Sequence, residues 1–195
     1  MGGRKGRRMD FLGAVKEKRV EVAAAWGDLT LGTYPAASAT LFLNEKDPFR
    51  NPVGATVRRS VTTLLDGLLG EASAEDVDRA LDCVVRLRAV QDFTPAQAAG
   101  FVFLLKTALA RTLGNEPASA SSAQAGAFGA RIDALALSAF DIFTACRQRI
   151  FELRANEAKA RVHSLLRRAG MVEDGGTAGE GAESESAVTK GGCPV

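Results

Sequence analysis

The residue types that carry covalent chemistry are thin in this chain: one histidine, His163, and three cysteines, Cys83, Cys146 and Cys193. A Ser–His–Asp or Cys–His arrangement would have to recruit His163 as its base. That residue stands among Arg161, Arg167 and Arg168, and no nucleophile is expected to work with it. The cysteines have no C-x-x-C spacing, and with a single histidine they do not make up a zinc ligand set. Asp76 and Asp78 are two apart, so on a helix they point to different sides and cannot work as a catalytic pair. Neither a P-loop nor a G-x-G-x-x-G pattern is present. These features point away from an enzyme, with no catalytic residue, metal ligand or cofactor-binding residue to assign.

What does stand out is a set of polar residues placed where a plain helical core would carry apolar ones. Arg88, Gln91 and Asp92 precede a strong helix start, and Lys106 lies inside the apolar helix that follows. Asp141 sits between Phe140 and Ile142, with Arg147 six residues on. Buried charges must be paired. Three readings stay open: Arg88, Lys106 and Asp141 pair inside the fold, each reaches the surface along its alkyl stem, or they line a cavity for a small anion or signal molecule. Arg88, Gln91, Lys106, Asp141 and Arg147 are therefore the candidate ligand- or partner-binding residues.

The elements that must position them are helices. Residues 10–27 place Phe11, Val15, Val22 and Trp26 on one broad face. A short helix is expected near 35–44, opened by Pro35. Pro48 and Pro52 make an ordered loop of NEKDPFRNPVG, and a helix follows over 54–69 until Gly70 stops it. Ser73 caps the next helix, with Glu75, Asp76 and Asp78 at the positive end of its dipole. In RAVQDFTPAQAAGFVFLL, residues 88–105, Thr94 is the cap, Pro95 takes the first helical position, and Gln97 has capping-box spacing. The stripe Ala98, Phe101, Val102, Leu105 and Leu109 is widened by Ala99, Phe103 and Leu104, so the helix over 94–113 is expected between neighbours. Residues 115–130 read as a long connection or a frayed helix start, and the longest periodic run covers 131–169. The fold class is all-α, a single bundle of about six helices over 10–169, between a basic flexible arm (1–9) and a disordered acidic tail (170–195).

Composition agrees with a soluble globular domain: 46% hydrophobic, 25% charged, net charge +2. That balance does not require nucleic acid. The basic residues Arg147, Arg149, Arg154, Lys159, Arg161, Arg167 and Arg168 read as a solvated helix face, because neither helix-turn-helix spacing nor a stacking aromatic set accompanies them. Haem is set aside as well, since its one possible histidine ligand is His163, in the polar part of the last helix. No apolar run approaches the roughly 20 residues of a membrane span, and RRMDFL is followed by the charged AVKEKR where a signal would be apolar. Met9 is an alternative start to Met1. Cys83 and Cys146 read as small buried hydrophobes and Cys193 as a bystander in the tail, so a disulfide framework is not expected and the compartment is expected to be the reducing cytoplasm.

Several blocks together resemble a known family. FLGAVKEKRVEVAAAW, TYP, DPFRNPVG, RAVQDFTPAQAAGFVFLLK and ALSAFDIFTACRQRIFELRANEAKAR are similar to the N-terminal domain of RsbRD, the RsbT co-antagonist, over roughly residues 10–169. The resemblance implies a helical, globin-like domain without haem. It implies a stressosome-type signal-input module that is dimeric and works through protein partners in stress or redox signalling. In that family the module precedes a STAS domain, for which residues 170–195 leave no room, so the phosphorylation output is not carried over. No catalytic residues come with the resemblance. The alternative function is a small-ligand sensor, with an interhelical pocket between the capped helix and the long last helix.

Overall fold

The computed structural model describes residues 10–91, 93–114 and 122–171. Over them the chain forms eight α-helices and one 3₁₀ turn: α1 (Phe11–Glu17), α2 (Arg19–Leu31), α3 (Ala36–Asn44), α4 (Pro52–Leu69), α5 (Ala74–Ala89), α6 (Pro95–Gly100), the turn Phe101–Phe103, α7 (Leu104–Leu113) and α8 (Ser122–Arg168). No strand occurs among the described residues. The all-α expectation holds, and the helices exceed the expected six because two runs are broken.

The first break is at Lys18, between α1 and α2. α2 then continues through Gly27 to Leu31, four residues beyond the helical run expected over 10–27, and stops at Gly32. Gly27 is buried against Arg58 and Val61 of α4, so tertiary packing outweighs its weak intrinsic helix preference. The second break is inside the capped helix. The Trp26 indole Nε1–H donates to the Phe101 carbonyl at 2.8 Å, and the backbone tightens to a 3₁₀ turn at that residue.

Local signals elsewhere act where they stand. Asn51 caps α4 by accepting from the Gly54 N–H at 2.8 Å and donates its amide to the Phe42 and Glu45 carbonyls, which ties the proline loop to the helix it launches. Gly70 ends α4 in the left-handed region at φ 78°. The Ser73 hydroxyl accepts from the Asp76 N–H. At Thr94 both halves of the capping box close: its hydroxyl accepts from the Gln97 N–H at 3.2 Å, and the Gln97 side chain accepts from the Thr94 N–H at 3.0 Å. Thr94→Ala is expected to lower stability by about 1 kcal/mol through loss of that cap, read as a shift in the urea midpoint at unchanged slope.

The core lies where α2 packs between α4 and α7 while α5 and α6 take the first half of α8. Val15, Val22, Trp26, Leu31, Val57, Val61, Leu64 and Leu65 are fully buried on the first side. On the second, Val84, Val85, Phe101, Val102, Leu105, Ile132 and Phe143 are closed off from solvent. α4 and α5 approach closely enough that a Cβ on Gly67 would collide with the Val77 side chain. Phe103, expected to widen the apolar stripe of the capped helix, instead stands 45% exposed under the Lys106 ammonium.

α8 spans 47 residues, about 70 Å at 1.5 Å per residue. Its start is nine residues ahead of the expected Arg131, since Phe128 is buried and packs edge-on against Phe11 at 5.6 Å. Arg131 donates to the Leu68 carbonyl at the end of α4. Beyond Cys146 the helix leaves the bundle, and from Phe151 onward nearly every residue is exposed.

Candidate functional site: a caged arginine beside an interhelical cleft

α5 carries its apolar face on Leu81, Val84, Val85 and Arg88, a spacing of three, one and three that puts all four on one side. The last position is the anomaly: Arg88 is 0% exposed, in the core with its apolar neighbours. It neither reaches the surface nor meets Lys106 or Asp141. Its guanidinium carbon lies over three rings, 4.3 Å from the Phe93 centroid, 5.2 Å from Tyr34 and 5.6 Å from Phe101. Aromatic faces offer a buried cation partial compensation. One nitrogen, Nη2, donates to the Thr33 hydroxyl at 2.7 Å and to the Gln97 carbonyl at 3.2 Å. The other two, Nε and Nη1, are buried without a partner, and so are the Tyr34 hydroxyl and Gln91 Oε1.

Beside this cluster lies a cleft of about 530 Å³ lined by Thr33, Tyr34, Pro35, Ser38, Gln91, Phe93 and Gln97, so Tyr34 and Gln91 belong to its wall and Arg88 lies behind it. The cleft is built by three chain segments that the local signals fix: the turn from α2 into α3, the end of α5, and the capped start of α6. Burial pulls the Arg88 guanidinium below its ordinary pKa, against a smaller upward pull from Tyr34. Burial likewise pushes the Tyr34 phenol up, opposed by the nearby Arg88 charge. The two lie close enough to shift each other through a side-chain contact as well as through charge, but the contact falls outside ordinary hydrogen-bond geometry, so the phenol O–H is left without an acceptor.

The other polar residues singled out from the sequence fall elsewhere. Lys106 reaches the surface and pairs with Asp133 of α8 at 2.6 Å, both groups about half exposed. A pair so exposed contributes little stability. Asp141 is exposed on α8. The Arg147 guanidinium donates to the Ala89 carbonyl at 3.3 Å, where the end of α5 presents unsatisfied acceptors. Gln91 alone of the five lines the cleft, with Arg88 behind its wall, and Asp92 lies outside the described residues. The cleft is thus not between the capped helix and α8; it opens at the capped helix's start, toward α3.

Residues 20–158 match the family described as the RsbT co-antagonist protein rsbRD N-terminal domain. The chain belongs to that family. No curated protein and no solved structure matches it. For an rsbRD-type domain the remaining chemistry is sparse: among the described residues no three His, Cys, Asp or Glu side chains cluster as metal ligands, and no helix is long and apolar enough to cross a membrane. His163 is exposed on the projecting part of α8. Cys146 is a free, half-buried thiol whose pKa burial raises. Cys83 is buried as expected but is disulfide-bonded, where the sequence suggests a plain thiol.

Sequence reasoning missed Thr33, Tyr34, Phe93 and Gln97 as site residues. A charge in the i+7 position of an apolar stripe was the available signal: it requires a cage, and TYP and DF supply the nearest aromatic residues beside turn-forming ones.

Proposed function

We propose that this rsbRD-type domain is a non-enzymatic, cytoplasmic regulatory input module over residues 10–169, in stress or redox signalling, and that it acts through protein–protein contact with a second copy of itself as first partner. The observation that carries the reading is the unpartnered half of α8. Phe151, Ala155, Ala158, Val162 and Leu165 repeat at alternating steps of four and three, the seam of a coiled coil. Phe151, Val162 and Leu165 are 72%, 55% and 62% exposed. A helix that projects about 30 Å beyond its bundle with an apolar seam is stable when a partner covers that seam.

Arg154 and Arg161 flank the seam on one edge and Glu152 and Lys159 on the other. In a parallel pair of identical helices Arg154 faces Lys159 of the second copy while Arg161 faces its Leu166, so added salt should strengthen the dimer slightly by screening that one like-charge pair. Leu165→Glu is expected to weaken self-association by about tenfold or more while the bundle stays folded, as read by light scattering and by a circular-dichroism spectrum that keeps most of its helical signal. A wild-type protein that remains monomeric at high micromolar concentration would end the dimer reading.

Support for a role without turnover comes from two of the polar residues singled out: Lys106 is engaged by Asp133 and Arg147 by the Ala89 carbonyl, so neither is held ready for chemistry. The exposure of His163 on α8 also fits the haem-free, globin-like character of the family. The basic residues of the projecting part of α8 are interrupted by Glu152, Glu157 and the apolar seam, an arrangement that suits a helical partner. A second reading, a small-ligand sensor, is favoured by the cleft beside Arg88.

A further inference from the structure

Arg88 brings a charge into the core that cannot be given up, since a guanidinium stays protonated in proteins. Among the described residues no carboxylate pairs with it, and the hydrogen bonds it makes there go to Thr33 and Gln97. Thr33, Tyr34, Phe93 and Gln97 are all cleft residues as well as Arg88 contacts, so the cation lies directly behind the cleft wall. An unpaired buried charge is costly, and a bridging water would satisfy donors without neutralising it. The unmatched atoms suggest what is missing: on the wall, the Tyr34 hydroxyl can donate or accept and Gln91 Oε1 requires a donor, and behind it Arg88 Nε and Nη1 lack an acceptor. The rings of Tyr34 and Phe93 make part of the wall apolar. A bare inorganic anion would meet the rings and Gln91 Oε1 unfavourably and leave most of about 530 Å³ unused.

We propose that the cleft binds a small organic carboxylate that also carries a hydroxyl or amine hydrogen, with its carboxylate toward Arg88 and Tyr34 and its donor toward Gln91. The volume suits a ligand of metabolite size. This deepens the sensor reading of the same domain and is independent of the α8 dimer.

The test is calorimetric titration of the full chain with L-lactate, glycolate and L-alanine, beside acetate, which lacks the donor, and sodium chloride at matched ionic strength. At least one of the first three should saturate with a Kd below about 1 mM. Acetate and chloride should bind more weakly. Arg88→Met should weaken that ligand by about tenfold or more, the scale of one hydrogen bond to a charged group. Tyr34→Phe, which keeps the ring and removes only an unpaired hydroxyl, should weaken it by about threefold with an unchanged melting temperature. Should Arg88→Met fail to fold, Tyr34→Phe and Gln91→Leu carry the decision. Absence of saturation by all three probes up to about 10 mM, chloride binding as tightly as the best of them, or folded variants that bind like the wild type would each overturn the proposal. Light scattering of the same samples keeps its failure distinct from failure of the dimer.

Discussion

Truncation of Phe101 to alanine is expected to lower the unfolding free energy by about 3–5 kcal/mol. The ring is 1% exposed and stacks on Trp26 with centroids 6.2 Å apart and planes 15° from parallel. On another side it faces the Arg88 guanidinium. Removing it would open a cavity between the 3₁₀ turn, α2 and α5, and the site has little freedom to collapse. Trp26 is held by its bond to the Phe101 carbonyl, a backbone group that the substitution leaves in place. Both lost packing and residual void therefore enter the cost. For a domain of ordinary stability this is a large fraction of the total. Urea unfolding of wild type and variant would read it as a lower midpoint at similar slope; a loss under about 1 kcal/mol would place the ring outside the core.

The parts of the fold that were legible in the sequence are those that nearest neighbours decide. Ser73, the Thr94–Gln97 box and Gly70 act through hydrogen bonds or backbone angles spanning a few residues, and each marks the boundary it was expected to mark. The parts that were not legible depend on contacts far along the chain. The 3₁₀ turn arises where Trp26 reaches a carbonyl 75 residues away, and nothing within FVFLL announces it. Gly27 stays helical because α4 covers it. α8 begins early because Phe128 finds Phe11, and the small residues around it show almost no periodicity. The same division runs through the site. Arg88 was visible as a charge in an apolar row, yet its hydroxyl partner Thr33 is 55 residues off. Lys106 was equally conspicuous, but its partner Asp133 sits 27 residues on, at the surface, so the internal triad with Asp141 does not form.

The cleft and the apolar seam also lie on different parts of the molecule, with one covalent neighbour between them. Arg147 of α8 holds the carbonyl of Ala89, the residue after Arg88. The end of α5 thus carries the caged cation on one residue and an anchor for the projecting helix on the next. A ligand that orders this end would act on the position where α8 leaves the bundle, a link that the two separate measurements above can be combined to examine.

Two substitutions at Arg88 should move stability in different ways, and the contrast tells what the cation is for. Arg88→Ala empties the space under three rings and strips the Thr33 hydroxyl and the Gln97 carbonyl of their donor, so a loss of at least about 3 kcal/mol is expected. Arg88→Met refills much of that volume with an apolar chain and removes a charge held out of water without a counter-ion. Replacing buried ionic groups by apolar ones of similar size is often neutral or stabilising, and sulfur packs well at ring edges. The methionine variant is therefore expected within about 1 kcal/mol of the wild type, or above it. Thermal and urea unfolding of both variants in ligand-free buffer would decide the matter. A methionine variant that is as stable as the wild type yet no longer binds a carboxylate would mean that the fold tolerates Arg88 and the binding function requires it. One that falls as far as the alanine variant would mean that the guanidinium and its aromatic cage hold the end of α5 to α6, and that the cation is structural.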